Sequence, residues 1–216
     1  MSLQPFNWSV VILGRWNLAI LTPARISKKI FKLKPQTQVK VAVPIDGISP
    51  YLVEHPTQKI RVEIDVSRLV INLTQINYQA LQDAMLAGVN ALKWLPETPI
   101  SAAGFNVNFQ TKSPTPNMAK LYCNATFDNQ LAELGHSITS WALTRSVSYN
   151  TGLLNIAVSG NPDYFELSCN FHRKSNENQD LIEWLEIAVS DVETQVTEVL
   201  KKLNLDLEEI KDEQKD

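Results

Sequence analysis

One stretch, Ile76 to Phe109, constrains this chain more than any other, because its hydrophobic period changes partway along. Leu81, Met85, Gly88, Leu92 and Leu95 recur at steps of four, three, four and three, which is one face of a helix. Ala80, Ala84, Ala87 and Ala91 run beside them, so the buried face is wide and built of small side chains. A face of that kind lets a helix lie close against whatever it covers. Asn77 stands where an N-cap belongs. Pro96 and Pro99 end the helix. From Ala103 to Phe109 apolar residues alternate with Gly and Asn, the period of a strand with one buried face.

The same two periods recur along the chain. Trp8 to Leu13 reads as a buried strand and Leu18 to Leu21 as its continuation. Val39, Val41 and Val43 alternate with polar or small residues, and 44–56 reads as a proline-punctuated connection with an Asp46-Gly47 turn. Ile60, Val62, Ile64 and Val66 alternate with charges, the mark of a half-buried strand, and Leu69 to Leu73 follows. Leu121, Cys123, Ala125 and Phe127 alternate too, as do residues within 138–149. Leu153–Ser159 and Tyr164–Phe171 flank Gly-Asn-Pro-Asp and predict a hairpin. Last, Ile182, Leu185, Val189, Val192 and Val196 step by three and four, nearly a coiled-coil seam along a helix predicted over 179–203.

The fold class that follows is α+β: antiparallel sheet covered by two long helices, 77–95 and 179–203. One domain is expected over 1–205, with 206–216 a charged, frayed tail. Each half runs through strands to a helix, and Asn72–Leu92 resembles Asn170–Val192 in order of residue types. A duplicated unit with halves 1–111 and 118–205 is therefore an expectation.

Charge and composition narrow the function classes. Residues 1–108 hold 11 Lys/Arg against 6 Asp/Glu, and residues 109–216 hold 9 against 17, so the halves carry opposite charge. That favours docking within or between chains. No apolar run reaches the roughly 18 residues of a membrane span, and two cysteines make no disulfide framework. A cytoplasmic protein without membrane contact is the expectation. Arg25, Lys28, Lys29, Lys32 and Lys34 edge a short helix that could face nucleic acid, but no aromatics interleave, and a solvated face explains them better.

Chemistry-bearing residues are scarce. Cys169 and His172 sit three apart on a predicted strand and so face opposite ways. With Cys123 they match no zinc spacing, so no metal and no cofactor is expected. No nucleophile elbow, phosphate loop or zinc-protease motif is present, hence no catalytic residue is assigned. An enzyme pairing Cys123 or Cys169 with His136 or His172 is a minor reading, since both cysteines fall in the apolar register of their strands. Two readings lead. The first is a non-enzymatic assembly module that forms a homodimer through Ile182, Leu185, Val189, Val192 and Val196. The alternative is a small-ligand binding protein whose cavity, between sheet and helix, is lined by Trp16, Phe105, Asn106, Asn108 and Trp141. A row of amides without acid or base suits binding better than catalysis.

Overall fold

The structure is a computed structural model describing residues 2–44, 51–55, 57–121 and 123–207. Its strands are β1 (Gln4–Gly14), β2 (Lys40–Ala42), β3 (Tyr51–Glu54), β4 (Ile60–Ile64), β5 (Arg68–Leu73), β6 (Ile100–Thr111), β7 (Trp141–Tyr149), β8 (Gly152–Asn161) and β9 (Tyr164–Lys174). They form one antiparallel sheet in the order β2-β3-β4-β5-β1-β6-β9-β8-β7. The α+β class read from the periods holds. The centre is the long β1–β6 pair, interrupted by a bulge between Phe6 and Ser9 where Asn7 takes a φ of 49°.

The helices are α1 (Pro23–Arg25), which runs into a π turn at Ile26–Ile30, then α2 (Tyr78–Trp94), α3 (Pro116–Ala119), α4 (Ala125–Glu133), α5 (Asn178–Leu185) and α6 (Val189–Lys202). Asn77 caps α2 as its position predicts, its side-chain oxygen accepting from the Ala80 N–H at 2.7 Å. α2 lies on β1 and β5, α5 on β6 and β9, and α6 against α2. Gly88 is where α2 comes closest. A Cβ there would stand 3.1 Å from Leu185 Cδ1 and 3.4 Å from Ile12 Cδ1.

The core lies between sheet and helices. Trp8, Val10 and Ile12 of β1, Phe105, Val107 and Phe109 of β6, and Phe165, Leu167, Cys169 and Phe171 of β9 are all fully buried. Phe105 stacks on Phe171 with ring centroids 4.8 Å apart, and Trp184 of α5 covers Phe105 at 6.2 Å. Burying side chains of this size contributes roughly 2–3 kcal/mol each, which makes this the structural centre.

Several local expectations change. The helix predicted over 179–203 is broken at Glu186–Ala188, where Glu186 closes α5 and Ala188 has an extended ψ of 128°. The apolar seam survives the break because α5 and α6 both turn it inward. Leu18–Ile20 is a turn and not a strand, and in the stretch 121–127 Cys123 and Asn124 lead into α4, which takes Ala125 to Phe127. Within the supposed connection 44–56, Tyr51–Glu54 is a strand, whereas Asp46-Gly47 falls outside the described residues. Of the tail expected over 206–216, Leu3 N–H donates to Asp206 O at 2.8 Å and Leu3 bridges Leu207 in parallel, whereas 208–216 fall outside the described residues.

Candidate functional site: the open face of the sheet

Since α2, α5 and α6 share one side, no helix of the described residues covers the opposite face of the sheet. Side chains alternate across a pleated strand, so the residues between the core positions must point there. The register lines them up. Lys40, Glu54, Arg61, Asn72, Ser9, Asn106, Asn170, Asn155 and Ser146 are successive Cα partners, one from each strand, and every one of them is polar.

The row is hydrogen-bonded along most of its length. At the β2 end it is ionic, with Lys40 Nζ 3.2 Å from Glu54 and Arg61 3.4 Å from Glu63. Asn72 donates to Glu63 at 2.9 Å. At the β7 end it is neutral and runs one way. The Ser146 hydroxyl donates to Asn155 Oδ1 at 2.6 Å, Asn155 Nδ2 to Asn170 Oδ1 at 3.1 Å, Asn170 Nδ2 to Asn106 Oδ1 at 2.7 Å, and Asn106 Nδ2 to Ser9 Oγ at 3.0 Å. An amide carries two donor hydrogens and two acceptor lone pairs, so each asparagine keeps capacity to bond something above the sheet. Neighbouring strands lie about 4.8 Å apart, and that is the spacing at which this capacity is offered. A second, shorter track runs alongside, where Asn108 donates to Asn7 O at 3.0 Å and accepts from Ser168 at 2.7 Å.

Beside the row the face is less polar. Val70, Val11, Gly104, His172 and Leu153 are the next successive partners. Gly104 is a notch that no other residue could make. An added Cβ would collide with Phe171 O and stand 2.9 Å from His172 Cβ. The notch is the floor of an open depression of about 390 Å³ walled by Val11, Leu13, Ala102, Asn106, Asn155, Asn170, His172 and Lys174. Burial and then the Lys174 charge close by hold the His172 pKa below its usual 6.5 against a backbone hydrogen bond at Asn170 that raises it, so its imidazole is neutral at pH 7. Asn155 Nδ2 lies 3.4 Å from His172 Nδ1. A neutral imidazole facing amides without a carboxylate partner is a hydrogen-bonding group rather than an assembled acid–base pair.

The candidate residues divide between two faces. Asn106 and Asn108 are on the open face, whereas Phe105 is sealed under α5. Trp16 is buried and donates its indole N–H to Ile12 O at 3.3 Å. Trp141 is on the edge strand, donating to Asp128 Oδ2 at 3.0 Å. The five therefore line no common space. Of the expected interface residues, Ile182, Leu185, Val192 and Val196 are buried in this chain's own core and Val189 is half-buried. Ser9 and Ser146 carry no sequence signal for the site, whereas Asn155 and Asn170 carry one, as amides recurring in other predicted strands that could converge with Asn106 and Asn108.

The scarce reagents stay apart. Cys169 lies in the core, its thiol pushed up to about 12 by burial, while His172 is on the other face of β9. Cys123 is exposed, its pKa raised by burial of the sulfur and then by the Asp128 carboxylate. Among the described residues no three His, Cys, Asp or Glu side chains gather as a metal ion would require. In the basic segment Ile26 and Ile30 are buried, Asn90 of α2 donates to Ile30 O at 2.9 Å, and Lys29, Lys32 and Lys34 are exposed. Among the described residues no helix is long and apolar enough to cross a membrane.

No protein-family model matches the chain, and no curated protein matches it in sequence. Among solved structures, one described as Methanococcus jannaschii TBP is similar at 10% identity over 94% of this chain and 99% of that one, with a TM-score of 0.29. A score that low carries no argument here.

Proposed function

We propose that the protein is a non-enzymatic binding module whose recognition surface is the open face of its sheet. The observation that carries this is the polar row, continuous across nine strands and self-bonded from Ser146 to Ser9. Amides already held by one another need no ordering when a partner arrives, which removes part of the entropic cost of binding. The depression over Gly104 has the volume of a small-molecule site, and its walls are mixed apolar and amide. Its ligand is a small, uncharged molecule rich in hydroxyl or amide groups, seated over Gly104 between Asn106, Asn155 and Asn170.

The test follows the asparagine side-chain signals in proton–nitrogen spectra while neutral oligosaccharides, nucleosides and blocked dipeptides are added in turn. Shifts concentrated at Asn106, Asn155 and Asn170, and abolished in Asn155→Leu, are the expected result. A panel that perturbs only residues elsewhere would overturn the assignment.

We also propose that the chain is a duplicated unit, with the boundary at Pro96–Pro99 instead of within 111–118. What supports this is the mirrored pairing about the centre: β5 lies outside β1, as β9 lies outside β6, with β4 and β3 following as β8 and β7 do. Asn72 and Asn170 then take equivalent places, each paired with the central strand of its own half.

A further inference from the structure

The two edges of the sheet are built differently. β2 spans three residues and opens on Lys40, a short charged edge of the kind that resists further pairing. β7 spans nine residues, Trp141–Tyr149, with Arg145 its only charge and neither proline nor glycine in it. Its register is continuous with β8 from end to end, and β8 is its only strand partner among the described residues. Alternate residues of such a strand direct N–H and C=O groups away from the sheet, a template for another strand.

Exposed apolar side chains occur on β7 and on α4. Val147 of β7 is 44% exposed, and on α4 and its C-cap Phe127 is 57% and Leu134 71% exposed. α4 is tied to the Trp141 end of β7 by the Trp141–Asp128 hydrogen bond. Apolar surface beside an unpaired strand marks a place where something docks.

We propose that this something is a second copy of the chain, joined through β7 to β7 in antiparallel pairing about a twofold axis. Antiparallel pairing of a strand with its own copy is isologous, so the same patch serves both partners. The register is restricted by charge. A twofold at Arg145 would set two guanidinium groups opposite each other, which destabilises a pair. An axis at Ser146 sets Arg145 against Val147 of the other copy, and one at Thr144 sets it against Leu143. Area sets the strength of the pair. In either register seven residues of each copy pair, an edge about 24 Å long and about 10 Å deep, roughly 480 Å² over both copies. That is below the roughly 1,000 Å² of a tight interface, so the pair is a reversible one that fills as concentration rises. This places assembly at the sheet edge and leaves the 182–196 seam to the core.

Light scattering and sedimentation should find a dimer, and Val147→Lys combined with Phe127→Ser should weaken it at least tenfold with unchanged circular dichroism. Should that variant not fold, cross-linking decides the matter. In a Cys123→Ser background, Thr144→Cys or Ser146→Cys should oxidise to a disulfide-linked dimer far faster than Lys40→Cys at the other edge. A monomeric wild type at high concentration, or thiols in β7 that link no faster than the one in β2, would overturn the proposal.

Discussion

Asn170 is the place to test whether the amide row is a connected structure. It accepts from Asn155 at 3.1 Å and donates to Asn106 at 2.7 Å, so Asn170→Leu removes two bonds and strands a donor and an acceptor. Each such bond is worth about 0.5–1.5 kcal/mol net, and because the row is half-buried, water can reach the stranded groups. The cost should therefore be about 1–2 kcal/mol, near 3–6 °C in melting temperature for a chain of this size. Asn170→Asp should cost less at pH 7. Its carboxylate still accepts from Asn155, and the Asn106 amide can flip to donate to it. Ser9, now facing an oxygen, turns its hydroxyl from acceptor to donor. A double-mutant cycle with Asn155→Leu, read by urea unfolding, should give a coupling of about 0.5–1 kcal/mol. Strict additivity, or an Asp variant weaker than the Leu variant, would refute the directional row.

Three other perturbations follow from the geometry. His55 is buried against Phe31, and its Nδ1 accepts from the Thr57 and Gln58 N–H groups at 3.1 and 3.0 Å, which a protonated ring cannot do. Burial lowers its pKa below 6.5, so its stabilisation is complete above that value and is lost as pH falls through the folded pKa. The urea midpoint should drop between about pH 7.5 and pH 5, and less so in His55→Ala. Native protein should be alkylated at exposed Cys123 alone, with Cys169 reacting only after denaturation; labelling of Cys169 in the native state would contradict its packing. Gly104→Ala drives a methyl into the backbone of β9 and should cost about 2–3 kcal/mol. Gly88→Ala meets only the tip of Leu185 and gains about 1 kcal/mol of helix propensity, so calorimetry should find it far milder.

How much of this was legible in the sequence depends on range. α2, its Asn77 cap, the β8–β9 hairpin and the inward Phe/Val side of β6 follow from residues within a few positions of one another, and the periods show them directly. The break at 186–188 was not legible, because neither proline nor glycine stands there and the three-and-four step runs through it unbroken. α2 packs against both helices, and what distinguishes them is that α5 also rests on β6 and β9 while α6 packs chiefly on α2. The alternation at 121–127 misled because a local cap wins there: Asn124 Oδ1 accepts from the Phe127 N–H at 3.2 Å and starts α4. Asn106 and Asn108 were visible as a polar side. That Asn106 meets Ser9 and Asn170 was not, since register between strands 97 and 64 positions apart leaves no local trace, although Asn155 and Asn170 lie only 15 apart across the hairpin.

The open face and the open edge answer the same physical problem in different ways. A nine-stranded sheet with helices on one side exposes a broad surface that, if apolar, would stack on another sheet. The row of amides prevents dry stacking, because burying them without partners would cost more than the contact returns. Being bonded to each other, they still present ordered donors and acceptors to a small polar molecule. β7 has no such protection: among the described residues no strand pairs its outer edge, and Val147 on it is exposed and apolar. A ligand over Gly104 contacts Asn155, which bonds Ser146 of β7 directly. If both surfaces act as proposed, occupying the depression should stiffen the strand that pairs the copies. Ligand and dimer would then favour each other, and by linkage the ligand should bind the dimer more tightly than an edge variant held monomeric. Equal affinity for the two forms would separate the surfaces into independent devices.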